Sequence, residues 1–241
     1  MKFTKLILDE DFNEGKINRD LWDFEIGFIR NHEPQYYTDR PENAYIEDGM
    51  LKIVTRREEY EGAHYTSASL NTMGKFSFCY GRAEMRAKLP YSKGLWPAFW
   101  MMGENFPEVD WPHCGEIDIM ETTGTIREES DRELITTIHW QSKEKNDHDC
   151  VSGRYWMESG KFADAFHIFA VEWEETELRW YLDDTMVCRF EITEDMKGCF
   201  NKPHFILINT ALADWNDDDR PDDEHTVLPQ EYCIDYIRVY Q

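Results

Sequence analysis

The sequence predicts an all-β protein, an antiparallel sandwich, and three observations carry that prediction. Period-two alternation of apolar and polar residues recurs from one end of the 241 residues to the other, long helical periodicity is missing, and clusters of Gly, Asp, Asn and Pro break the alternating runs at short intervals. Successive side chains of a strand point to opposite faces, so a run with period two buries one face and wets the other. Many such runs between turn residues build a sandwich or barrel.

The runs follow in order. Leu51 to Thr55 and Phe76 to Tyr80 read as strands. In Tyr80 to Leu89, Ala83, Met85, Ala87 and Leu89 share one face, and Arg82, Glu84, Arg86 and Lys88 share the other. In Leu95 to Met102, Phe99 and Met101 enter the core, while Trp96 and Trp100 lie on the opposite face roughly 13 Å apart, four strand steps. That span suits a few sugar rings, and it equally suits a second apolar layer. Pro97 predicts an irregular or edge position, because proline cannot donate to a ladder.

Further along, Thr137, His139 and Gln141 face one way and Ile138 and Trp140 the other. Phe166 to Trp173, Glu177 to Leu182 and Met186 to Ile192 are strands, with Asp183-Asp184 as a hairpin turn between the last two. His204 to Leu212 and Cys233 to Tyr240 complete the set. In the last, Asp235 shares a face with Cys233, Ile237 and Val239, where a carboxylate needs a hydroxyl, an arginine or a hard cation as partner. Glu128 to Glu133 and Asp214 to Glu224 read as acidic loops.

Composition bounds the function. With 41% hydrophobic residues the chain can bury one sizeable core, so residues 1–241 are read as one domain. A net charge of −23 repels phosphate backbones and anionic lipid, which argues against nucleic-acid and membrane partners and for a neutral substrate. Aromatic residues make up 15%, with nine Trp, more than core packing alone asks for and well suited to flat platforms for sugar faces.

The six cysteines show neither a C-x-x-C pair nor regular spacing, so no disulfide framework or zinc motif is expected. His113-Cys114 and Asp147-His148-Asp149-Cys150 are metal-like, yet each lacks a second half in the sequence. Acids at Asp9-Glu10-Asp11 follow Met1 too soon for a signal peptide's apolar region, and no run approaches a membrane span. The expectation is a soluble monomer, intracellular or exported with its signal removed.

Chemistry concentrates at Glu116-Ile117-Asp118-Ile119-Met120-Glu121, three acids in six residues of an otherwise apolar run. Like charges this close resist simultaneous ionisation and push at least one pKa up, leaving an acid protonated near neutrality. In a plain strand Glu116 and Asp118 share a face and Glu121 points away. A β-bulge near Ile119-Met120 adds one residue, returns Glu121 to that face, and fits the preference of bulges for active sites.

Gly115 to Glu121 preceded by Trp111-Pro112 resembles the active-site strand of glycoside hydrolase family 16, in the branch whose motif carries the bulge residue. Asp11-Phe12-Asn13 with Trp22, Asn43 to Leu51, Tyr80 to Pro90, Gly94 to Met101 and Ile234 to Tyr240 resemble further family segments, so the likeness spans nearly the whole chain. Its nearest branch is the laminarinase-type endo-β-1,3-glucanases. The resemblance implies a jelly roll with a concave glycan cleft, Glu116 as nucleophile, Glu121 as general acid/base and Asp118 as helper between them. It implies sugar contacts from Asn43, Glu84 and Arg86, aromatic cleft positions at Trp96, Trp100 and Trp111, and a cleft histidine at His139. No catalytic cofactor is implied. A structural calcium held by carbonyls of Glu10 and Gly49 and by Asp235 is.

The chain departs from laminarinases at Ala211-Leu212-Ala213-Asp214-Trp215-Asn216, where the relatives carry glycines; Asp214 would approach the cleft, and the usual asparagine moves to Asn209 or Asn216. The substrate implied is a β-1,3- or mixed-linkage β-1,3-1,4-glucan. Transfer to a second sugar, another neutral polysaccharide, and glycan binding without turnover are the alternatives.

Overall fold

The computed structural model describes residues 2–125, 130–213 and 219–241. Strands are numbered along the chain. In the first sheet the order is β16 (Thr185–Glu191), β15 (Glu177–Leu182), β14 (His167–Trp173), β9 (Gly81–Lys88), β18 (Gln230–Tyr240), β5 (Met50–Tyr60), β6 (Ala63–Ser67) and β3 (Gln35–Tyr37); β1 (Leu6–Glu10) adds to β18 and β4 (Ala44–Glu47) to β5. The second sheet runs β13 (Asp147–Trp156), β12 (Glu133–Ser142), β11 (Glu116–Glu121), β10 (Leu95–Gly103), β17 (His204–Leu212), β7 (Ser69–Asn71) and β2 (Asp23–Phe24), with β8 (Ser77–Phe78) on β17. Only β3 and β6 pair in parallel among these strands. The chain crosses between sheets at buried Ala68, where β6 hands over to β7.

The core lies between the two sheets and is built by the predicted alternation. Ala83, Met85 and Ala87 of β9 meet Phe99 and Met101 of β10, joined by Ile117 and Ile138. Burial of each such large side chain contributes about 1.5–3 kcal/mol. The second sheet carries another, smaller apolar cluster on its opposite face: Ala98, Trp100, Met102, Cys114, Phe205 and Leu207. Asp183 takes a positive φ of 53° in the predicted hairpin turn between β15 and β16.

Two expectations change. Pro97 is not at a sheet edge: β10 lies between β11 and β17, and Pro97 pairs with Thr210. It stands one residue past the last paired residue of the β11 ladder, Ala98 opposite Glu121, so the donor it lacks falls where that ladder ends. Asp235 is not on the apolar face either. A register shift between Ile234 and Tyr236 swaps the faces of β18, so Tyr232 and Ile234 enter the core before it, and Ile237 and Val239 after it. No helix among the described residues is long and apolar enough to cross a membrane.

Candidate active site

Gly115 makes the turn into β11 with φ of 83°, and a Cβ there would lie 2.9 Å from that of Cys199. From this turn the strand runs Glu116 opposite His139, then Asp118 opposite Thr137, and resumes at Glu121 opposite Ile135. Three steps along β11 therefore match two along β12. On the other side Phe99 pairs with Met120 while Trp100 pairs with Asp118, so the extra residue is Ile119. Ile117, Ile119 and Met120 all pack in the core, and the three acids share the other face. Trp180 of the first sheet donates its indole N–H to the carbonyl of Asp118 at 2.9 Å, satisfying a backbone acceptor where the ladder is interrupted.

The acids form one electrostatic unit. Asp118 is buried, whereas Glu116 and Glu121 keep part of their surface open. Burial, then the charge of Asp118, pushes Glu116 up to about 8. Glu121 rises to about 7 through burial, opposed by a hydrogen bond from Trp96. Asp118 is raised by burial and by Glu121. Such groups titrate together, and the set retains a proton near neutral pH. Trp111 Nε1 donates to Glu116 Oε2 at 2.7 Å and Trp96 Nε1 to Glu121 Oε1 at 2.8 Å. His139 Nε2 lies 3.3 Å from Asp118 Oδ2, and its Nδ1 lies 2.9 Å from His148 Nε2.

A row of groups therefore crosses the open face of the second sheet. On the β17 side Trp100 Nε1 donates to Asn209 Oδ1 at 2.8 Å, and Asn209 Nδ2 donates to Tyr37 Oη at 3.1 Å. Gln35 Oε1 accepts from the backbone N–H of Leu212 at 2.8 Å, and the Arg30 guanidinium sits 5.0 Å from the Trp100 ring. Residues 30–37 thus fold over that end of the face. At the β12–β13 end Trp111, 40% exposed, packs beside His148 with ring centroids 4.6 Å apart. Two partly open carboxyls between aromatic groups can protonate a leaving oxygen and attack the carbon it leaves.

Comparison with known proteins decides the family. The pattern described as glycosyl hydrolases family 16 matches residues 31–238. The chain belongs to this family. It is 35% identical over 254 residues to a beta-glucanase of Rhodothermus marinus, covering 98% of this chain and 85% of that protein. It is 34% identical to the clotting factor G alpha subunit of Tachypleus tridentatus, covering 98% of this chain but only 34% of that protein. The crystal structure of a laminarinase catalytic domain from Thermotoga maritima superposes with a TM-score of 0.85 at 39% identity, over 98% of both chains. This glycoside hydrolase therefore has the jelly-roll fold of its family, in agreement with the two sheets above.

Within this family-16 fold the predicted site residues separate into two groups. Trp96, Trp111 and His139 reach the acids. Trp100 is 6% exposed and belongs to the apolar cluster on the open face, so it forms floor, not a platform. Glu84 and Arg86 lie on the far side of the molecule. Their split from Ala83 and Met85 was right, but β9 belongs to the first sheet, whose polar face points away from the acids. There Glu84 accepts from Arg82 Nε at 2.9 Å and Arg86 pairs with Asp235 at 2.5 Å. Asn43 is fully buried and its amide is consumed: Oδ1 accepts from Thr38 and Arg40, and Nδ2 donates to Val54 O and Thr66 Oγ1. It ties a loop to β5 and β6 and does not reach the open face.

Sequence reasoning missed Arg30, Gln35 and Tyr37, and it met His148 only in a metal-like run, with no place beside the acids. Nothing periodic marks the first three, since they act through a segment folded over the sheet; the register of β13 against β12 brings in His148. Asn209, one of the two positions expected for the displaced asparagine, accepts from Trp100. Asp214, Trp215 and Asn216 lie outside the described residues, as do Glu128 and Glu129.

Proposed function

We propose that the open face of the second sheet is the active site of a retaining endo-glycosidase that cuts β-1,3- or mixed-linkage β-1,3-1,4-glucans. The observation that carries the reading is the interrupted β11 ladder, which gathers Glu116, Asp118 and Glu121 into one coupled cluster. The beta-glucanase and laminarinase relatives support the substrate class, and the net charge of −23 favours a neutral chain over an anionic one.

Glu121, protonated and hydrogen-bonded by Trp96, donates to the glycosidic oxygen. Glu116, oriented by Trp111, attacks the anomeric carbon and forms a glycosyl ester as the leaving chain departs with that proton. Water then enters, gives a proton to Glu121, and its oxygen displaces Glu116, restoring both groups. Asp118, faced by His139, takes the proton that the Glu116 carboxyl shares with it as Glu116 attacks, and returns it once water has released the sugar. Carboxyl groups carry this chemistry throughout, and no cofactor takes part.

Of the residues named for calcium, Asp235, which would supply the carboxylate, is held by the guanidinium of Arg86. A fixed positive charge on the one carboxylate of the set opposes a divalent cation. We read residues 1–241 as one catalytic domain that acts as a monomer.

A reducing-end assay across laminarin, lichenan, curdlan, agarose and xyloglucan tests the function. New ends from laminarin or lichenan, lost in Glu116→Gln, support it; cleavage of agarose alone refutes the substrate class while leaving the chemistry in place.

A further inference from the structure

The histidine that faces Asp118 belongs to a second cluster. Cys150 stands directly opposite His139 in the β12–β13 ladder, and Gln141 stands opposite His148, so all three chemistry-bearing side chains share the open face. The donor atoms of His139, His148 and Cys150 lie within 4.8 Å of one another. Strand pairing thus supplies the partner that the Asp147-His148-Asp149-Cys150 run lacks in the sequence.

The geometry points to a zinc-binding site formed by His139, His148 and Cys150 at the β12–β13 end of the active-site row. Two imidazoles and one thiolate are the donor set of a tetrahedral zinc, with bonds of about 2.0–2.1 Å to nitrogen and about 2.3 Å to sulfur that fit within a triangle of this size. One nitrogen of each ring already converges: His139 Nδ1 and His148 Nε2 are 2.9 Å apart and can share only one proton, whose place a metal ion takes. Cys150 is exposed and is a free thiol, so the ion enters from solvent and keeps its fourth position for water. A sulfur donor with two imidazoles selects zinc or copper over calcium and magnesium.

The other face of His139 strengthens the assignment. Its Nε2 lies 3.3 Å from Asp118 Oδ2, a carboxylate-histidine arrangement that fixes the ring with Nδ1 free for a metal. Occupation of the site removes Asp118 and His139 from their free play with the glutamates. It also places a double positive charge beside groups that must hold a proton to act. Bound zinc therefore inhibits the enzyme. Only this last consequence rests on the proposed glycosidase reading; binding stands on its own.

Cobalt(II) added to the metal-free full chain tests the site. Visible d–d bands of tetrahedral intensity and a near-ultraviolet thiolate-to-cobalt band should saturate at one equivalent and disappear on adding zinc. Cys150→Ser should abolish the thiolate band, and both it and His148→Ala should weaken zinc binding at least tenfold. No thiolate band at one equivalent, or zinc affinity unchanged in both variants, overturns the proposal. On laminarin, zinc should inhibit the wild type, and the half-inhibiting concentration should rise at least tenfold in Cys150→Ser, whose activity in chelator equals the wild type. Equal inhibition of both overturns control through this site. If the wild type cuts no glucan, the functional reading fails while the cobalt spectrum still decides the site.

Discussion

Trp180 Nε1 and the carbonyl oxygen of Asp118 are 2.9 Å apart across the sandwich, and this bond ties the first sheet to the interrupted ladder of β11. Trp180 is fully buried, so no water can replace the bond if the indole is lost. Trp180→Phe keeps an aromatic ring but leaves a buried carbonyl unpaired, at a cost of about 1–3 kcal/mol. Urea unfolding should show that loss, and kcat on laminarin should fall with KM little changed, because the acids and not the sugar contacts are displaced. An unchanged kcat would mean that the bulge holds without this bond.

The coupled acids destabilise the fold at high pH. Glu116 has an ordinary value of 4.5 and is raised to about 8. Below pH 4.5 it is protonated both folded and unfolded and contributes nothing. Between these values folding takes up a proton, and above 8 the buried charge carries its full cost. Glu116→Gln should therefore be more stable than the wild type at pH 9, by on the order of 1–3 kcal/mol or about 2–4 °C per kcal/mol, and no more stable at pH 4. Thermal unfolding at both values checks the sign.

Hydrogen bonding from Trp96 lowers the pKa of Glu121. Trp96→Phe removes that donor, so the alkaline limb of the kcat/KM profile should move up by about 0.5–1 pH unit while the maximum falls. A limb that stays in place or moves down would assign the acid elsewhere.

Arg86 and Asp235 form their pair on the face away from the acids. Both are partly exposed, so Arg86→Ala should cost only about 0–1 kcal/mol and leave KM for laminarin unchanged. Wild-type unfolding should not shift between EDTA and millimolar calcium. A higher midpoint in calcium would show that the ion binds the folded chain after all.

Much of this was legible in the sequence because strand periodicity and charge spacing are local. The odd distance from Asp118 to Glu121 predicted the inserted residue, and alternation sorted Ala83 and Met85 from Glu84 and Arg86 correctly. Alternation cannot say which of two stacked sheets a strand joins, so it could not test the sugar contacts that the family resemblance implied for Glu84 and Arg86. The face of Asp235 failed for a related reason: the β18 bulge leaves no charge spacing to betray it. Asn43 resembles a family position but spends its amide inside the protein, and a side chain's partners from distant strands are not written in its own neighbourhood. The cluster around His148 needed the β12–β13 register, a pairing property and not a motif.

The stereochemistry of cleavage tests the central claim most directly. Glu116 attacking from one face and water then displacing it from the opposite face should release the β-anomer first from laminarin, seen by proton NMR before mutarotation. The α-anomer appearing first would mean that water attacks directly, and that the bulged strand does not present Glu116 as a nucleophile.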